Sequence, residues 1–200
     1  MSTANLIRWS GMASLLAGVL QILGAFLHPT GEDLAAINTS NWVPAHLALW
    51  VSAILILLGL VGLYTRQAEK TGWLGLAGFV LAFIGIAVGG GLLAIVSIII
   101  PLIASESPTL ITQAMTPPAF LLPVVALGFG LGFILFGVAT MRSGVLPRWA
   151  GLLLIIGTVL QMAEGSPMDP SLLHMILTAG RVVFGLSFAW TGYALWSEKR

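Results

Sequence analysis

Gly62-Leu63-Tyr64-Thr65-Arg66-Gln67-Ala68-Glu69-Lys70-Thr71-Gly72-Trp73-Leu74-Gly75 is the stretch whose reading decides the fold. It is a short charged break between two apolar runs. Each run reaches the roughly 20 residues that a helix needs to cross about 30 Å of hydrocarbon. Arg66 and Lys70 mark the side on which the break lies, and the closing Trp73-x-Gly75 recurs as Trp9-Ser10-Gly11 and Trp149-Ala150-Gly151. Topology and an internal repeat can be read outward from this elbow. A biochemical activity cannot.

The flanks extend the pattern. Apolar segments run over Leu6–Leu27, Pro44–Tyr64, Trp73–Ile100, Ala119–Met141, Trp149–Ala163 and Leu172–Trp196. The chain is 58% hydrophobic and only 8% charged, with a mean hydropathy of +1.04. A soluble domain carries about 25% charged residues, so this composition implies an all-α integral membrane protein with six transmembrane helices. The runs are continuously apolar and lack the alternation of a barrel strand. The first run follows Arg8 but is too long for a secretory signal and ends in Leu27-His28-Pro29, so it reads as a retained span. The absence of cysteine excludes disulfides, thiolate nucleophiles and Cys-type zinc sites. A net charge of +1 gives no basic field for nucleic acid.

Charge sets the orientation. Arg8, Arg66, Lys70, Arg142, Arg148, Lys199 and Arg200 fall on one set of segment ends, seven of the eight cations. The opposite connections hold Glu32, Asp33, Glu106 and Asp169, with Glu164 at their edge. By the positive-inside rule both termini are cytoplasmic. The outer connections, 29–43, 104–118 and 164–170, are too small to be domains, so the whole of 1–200 reads as one transmembrane unit.

The unit divides into three in–out–in hairpins, approximately 1–68, 69–145 and 146–200. Arg8-Trp9-x-Gly11 with Val19-Leu20-Gln21 matches Arg148-Trp149-x-Gly151 with Val159-Leu160-Gln161, and the middle copy is weaker. Tryptophan is enriched at membrane borders anyway, so the coincident glutamines carry the argument for duplication. Small residues let helices approach where lipid removes the hydrophobic drive. Gly85-x-x-x-Gly89 and Gly128-x-x-x-Gly132 are therefore expected to pack against each other.

Polar groups inside the spans are the candidates for chemistry. Glu164 lies 15 residues beyond Trp149 and Arg181 lies 15 before Trp196, each about 22 Å from the inner edge at 1.5 Å per residue. A lone arginine at such depth is costly, so an Arg181–Glu164 pair is expected, either as a structural plug or as an anion or head-group site. Gln21 and Gln161 come out about 18 Å deep, bonding across repeats or lining a polar cavity.

His28, His46 and His174 all lie toward the outer face. Facing imidazoles on one hairpin could share a metal or a haem, yet no His-x-x-x-His or Glu-x-x-His spacing supports a ligand set. Contact with a quinone or head group, and simple interface anchoring, are the alternatives. No Gly-x-Ser-x-Gly, His-Glu-x-x-His or paired acidic motif is present, so no catalytic residues and no enzyme are expected.

The stretches Trp42-Val43-Pro44-Ala45-His46-Leu47, 62–75 and Leu146-Pro147-Arg148-Trp149-Ala150-Gly151 resemble a family of uncharacterised, Chloroflexota-like bacterial membrane proteins. The resemblance covers most of the chain, and it implies an inner membrane and six helices. Its motifs are topological, so no functional residue is carried over. The leading functional expectation is a non-enzymatic accessory or scaffold subunit, partnered by lipid and by other membrane subunits or further copies of itself. The alternatives are a small-molecule or lipid-binding carrier with a polar site near Arg181 and Glu164, and a haem- or quinone-binding redox protein using His28 and His46.

Overall fold

Gly72 turns the chain back on itself. In the computed structural model, which describes residues 3–104, 110, 111, 118 and 120–198, its φ of 53° and ψ of −146° interrupt a helical stretch over Trp42–Ala104. That stretch has 63 residues and would extend about 95 Å if straight. Instead its two arms, 42–71 and 73–104, lie antiparallel. Tyr64 stacks on Phe79 with ring centres 4.6 Å apart, and the Trp42 Nε1–H donates to the Val96 carbonyl at 3.2 Å. The first arm ends where the Thr71 hydroxyl donates back to the Gln67 carbonyl at 3.1 Å. Only glycine accepts the next conformation without strain.

The described residues are helical apart from their connections, with no strand among them. They form α1 (Thr3–Leu27), the single turn α2 (Leu34–Ile37), α3 (Trp42–Ala104, with a π-helical turn at Ile95–Ile99), α4 (Pro123–Ser143, with one at Ala126–Leu131), α5 (Arg148–Gln161) and α6 (Pro170–Ser197). Local chemistry sets the boundaries. Asp33 caps α2 by accepting from the Ala36 N–H at 2.9 Å, and Asp169 caps α6 by accepting from Ser171 and Leu172. Pro170 stands in the first turn of α6, where its missing N–H costs nothing, and Gly144 closes α4 at φ 64°.

Four of these helices, α1, α3, α4 and α6, are long and apolar enough to cross a membrane. The segment expected to span 149–163 is shorter: α5 has 14 residues, about 21 Å, and stops at Gln161. Glu106, Lys199 and Arg200, with most of the 104–118 connection, lie outside the described residues.

Each helical rod packs antiparallel to the next, in chain order, and the ring closes between α6 and α1. Glycines make the contacts. A Cβ at Gly62 would strike Ser10, at Gly85 the backbone of Gly128 and Phe129, at Gly137 the Gly151 carbonyl, at Gly157 the backbone of Phe184, and at Gly18 the Gly185 carbonyl. Buried hydroxyls bridge the same seams: Ser52 donates to the Ala17 carbonyl, Ser14 to that of Phe188, and Ser187 to that of Ala150, at 2.8–2.9 Å. Phe133, Phe184, Phe188, Leu60 and Ile56 fill the centre.

Two expectations about packing are corrected. Gly85, Gly128 and Gly132 do meet across α3 and α4, but a Cβ at Gly89 would find no described atom of another element within 4 Å. The contact runs instead through Gly78, Ala82 and Gly85. The π-helical turn of α4 adds a residue and shifts the helix phase before Gly89 could find a partner. The glutamines do not bond across repeats either. Gln21 accepts from Ser52 at 3.1 Å, whereas Gln161 donates to the Gly157 carbonyl of its own helix at 3.2 Å. In a ring in chain order, α1 and α5 are not neighbours.

Gly72→Ala should lower stability by about 1–3 kcal/mol through backbone strain alone, because a Cβ there meets open space. Gly89→Ala, in a helix interior and equally open, should leave stability unchanged or raise it. Thermal unfolding of both variants in detergent checks the contrast.

Candidate functional site

The acids of the connections divide into two kinds. Asp33 and Asp169 are consumed as helix caps. Glu32 and Glu164 are left, and both act electrostatically on a cluster at the end of the ring opposite the elbow. The cluster is built from the end of α1, the start of α3 and the N-terminal half of α6.

His28 follows directly on α1 and is 8% exposed. Its Nδ1 is 2.9 Å from the Pro29 carbonyl, which can only accept, so Nδ1 carries the hydrogen and Nε2 keeps a lone pair. Pro29 and Gly31, at φ 89°, fold the next residues back. This brings a Glu32 carboxylate oxygen to 3.4 Å from His28 Nε2. Burial, then the charges of Arg181 and His46, hold the His28 imidazole down at about 3, so it is neutral at physiological pH. Partial burial, reinforced by the Glu164 charge and opposed by Arg181, pushes the Glu32 carboxyl up to about 7.

His46 lies one turn into α3 and is buried. Its Nδ1 donates to the Trp42 carbonyl at 2.8 Å, which again frees Nε2. Its ring packs on the Trp42 indole with centres 4.1 Å apart, and Trp42 is itself fully buried and tied to the second arm through Val96. The His28 and His46 rings are 4.8 Å apart, and His174 lies 6.4 Å from His28. Two imidazoles with fixed tautomers and one carboxylate thus present their ligand atoms within 4.8 Å of one another.

Beneath them, on the face of α6 shared by residues 174, 178 and 181, stand Thr178 and Arg181. The Thr178 hydroxyl oxygen is buried and has no hydrogen-bond partner among the described residues. Arg181 is 8% exposed, and its guanidinium makes no hydrogen bond or ion pair with a described residue. Glu32 and Glu164 reach it only through space. The expected Arg181–Glu164 ion pair is therefore not formed. Because α5 stops at Gln161 and Gly165 turns at φ 80°, Glu164 is an exposed turn residue rather than a membrane-depth partner.

Of the residues expected to form a polar site, the fold brings together His28, His46, His174 and Arg181. Gln21 is buried two helical turns deeper on the His28 face of α1, and Gln161 is engaged within α5. Sequence reasoning missed Glu32 and Trp42. A search for His-x-x-x-His and Glu-x-x-His passes over His28-Pro29-Thr30-Gly31-Glu32, a His-x-x-x-Glu spacing of a different order and length, with a turn instead of a helix supplying the geometry.

Glu164→Gln should change stability by no more than about 0.5 kcal/mol, as for an ordinary surface substitution. Asp169→Ala, which removes the α6 cap, should cost about 1 kcal/mol. Parallel melting curves distinguish a free Glu164 from one that plugs the hairpin. Comparison of the chain with protein-family models, curated proteins and solved structures finds no match.

Proposed function

We propose that the chain crosses a membrane six times, with both termini on the cytoplasmic side of a bacterial inner membrane, and that it binds a small anionic ligand at the outer end of the helix ring. The carrier reading thus moves ahead of the accessory-subunit reading. Arg181 carries it. A buried guanidinium offers five donors, and one with no bonded acceptor at membrane depth is costly, a cost that a bound anion would offset. The Thr178 hydroxyl, unpartnered among the described residues and on the same face of α6, supplies a second donor. A carboxylate or phosphate group would complete both.

The six-crossing topology is supported by the antiparallel order of the rods and by the distribution of charge. The Arg66 Nε–H is shared between the two Glu198 carboxylate oxygens at 3.0 and 3.1 Å, and Arg8 lies over the Trp196 ring at 5.8 Å. These contacts gather the elbow and both terminal helices at one end, where the cations are. A short α5 is accommodated if the bilayer thins or the turn at 162–165 lies within the head-group layer.

The subunit reading keeps one specific support. Only 22% of the most apolar window of Trp42–Ala104 is buried within the chain, and a Cβ at Gly89 or Gly91 would meet no described atom of another element within 4 Å. A haem held between His28 and His46 fits poorly. With metal–nitrogen bonds of about 2 Å, two axial imidazoles need ring centres about 6 Å apart and a flat macrocycle between them. Here the rings are 4.8 Å apart, in direct contact.

Mild-detergent purification with mass spectrometry of co-eluting molecules tests the reading. Wild-type protein should carry a small molecule or lipid with an acidic group, and Arg181→Met should lose it. The ligand-free variant should be at least as stable as ligand-free wild type, gaining about 1 kcal/mol or more because a buried unpaired charge is removed. A wild-type protein that carries no such molecule but elutes with a stoichiometric membrane partner would favour the subunit.

A further inference from the structure

We propose that His28, His46 and Glu32 form a binding site for one divalent transition-metal ion, held by the two Nε2 atoms and the Glu32 carboxylate. The proposal rests on the ligand-site reading above and identifies what assembles there.

Three observations carry it. The first is tautomer. Each imidazole donates its Nδ1 hydrogen to a backbone carbonyl, His28 to Pro29 and His46 to Trp42. This is the outer-shell bond that metal-ligating histidines use to fix the ring and raise the basicity of the other nitrogen. Both lone pairs are thereby committed to Nε2.

The second is spacing. Ligands about 2.1 Å from a tetrahedral ion stand about 3.4 Å from one another. His28 Nε2 and the Glu32 oxygen are already at 3.4 Å. The widest separation in the set is 4.8 Å. That is about 1.4 Å wider than the tetrahedral spacing, and Glu32, exposed and carried on a turn, is the ligand freest to adjust, whereas His46 is locked against Trp42.

The third is the donor set. Two imidazoles with one carboxylate suit zinc and the first-row transition metals, whereas calcium and magnesium require oxygen ligands throughout. Three protein ligands also leave a coordination position open, the arrangement of sites that bind an exchangeable group.

Arg181 belongs to the same cluster, and by itself it would repel a cation. The charges account for this. With neutral imidazoles and with Glu32 deprotonated, as a metal ligand must be, Glu32, Glu164 and Arg181 sum to −1; a divalent ion brings the total to +1, and one anion neutralises it. Metal and anion therefore favour each other's binding. The anion required by Arg181 becomes, on this view, a group that bridges toward the open metal position.

The test uses full-length protein in detergent, stripped with a chelator and titrated with Co²⁺ and Zn²⁺. Wild type should bind one ion per chain, with the visible absorption of low-coordinate Co²⁺. Glu32→Gln and His28→Gln should each weaken binding by more than the roughly 10- to 100-fold typical of a lost outer-shell partner. His174→Gln should bind like wild type. Glu32 is exposed on a turn, so its variant reports ligation without endangering the fold, and gel filtration verifies each variant. Binding unchanged in both Glu32→Gln and His28→Gln, or abolished only in His174→Gln, overturns the ligand set. A wild-type protein that binds neither ion yet retains an Arg181-dependent small molecule overturns the metal and leaves the anion site standing. One that binds no ion and carries no such molecule overturns both.

Discussion

Close approach of backbones is the constraint on which this structure depends. Lipid tails are as apolar as leucine, so helices gain little by hiding apolar side chains from them, and association falls to van der Waals contact and hydrogen bonding. Both operate only at short range. At Gly128 a Cβ would come to 2.6 Å from the Gly85 Cα, and at Gly192 one would come to 2.3 Å from the Leu15 nitrogen. Those contacts exist because the methyls do not. They also bring Ser14, Ser52 and Ser187 close enough to a neighbouring helix to donate across the seam. Glycine placement thus determines which faces meet, and the serines fix their register.

How much of this was legible in the sequence follows from range. The helices, the elbow and the pairing of Gly85 with Gly128 and Gly132 depend on apolar run length, a charged break and small-residue spacing, all local signals. Gly89 shows the limit. Its spacing is as good as that of its neighbours, but the π-helical turn in α4 changes the phase of the opposing helix, and nothing in Ala126–Leu131 announces that turn. The end of α5 illustrates a second limit. Hydropathy continues to Ala163, whereas the helical hydrogen-bond ladder stops at Gln161, and this difference moves Glu164 out of line with Arg181.

The candidate site was legible in part for the same reason. His28, His46 and His174 could be assigned to one end from their place at segment boundaries, and Arg181 from its depth. Their convergence required the ring to close between α6 and α1, a long-range fact with no signature in spacing. Glu32 depended on a turn at Gly31 rather than on helical periodicity. Trp42 entered the sequence reading only as part of the 42–47 stretch, yet its indole is fully buried, props His46 and bonds to the second arm of α3.

The contrast between the two ends of the ring bears on function. At the elbow end, cations find partners at the surface: Arg66 meets Glu198, and Arg8 meets the Trp196 ring. Gln67 and Thr140, though buried, bond to each other at 3.1 Å. The buried polar pair there is satisfied by the chain itself. At the opposite end, among the described residues, Arg181 is buried without a bonded acceptor, Thr178 keeps an unpartnered hydroxyl, and two imidazole lone pairs converge on a carboxylate. A fold that satisfies buried polar groups with its own atoms at one end has the means to do so at the other. Leaving donors and lone pairs open together, within one small region and of opposite electrostatic demand, is the arrangement expected when a cation and an anion arrive from outside.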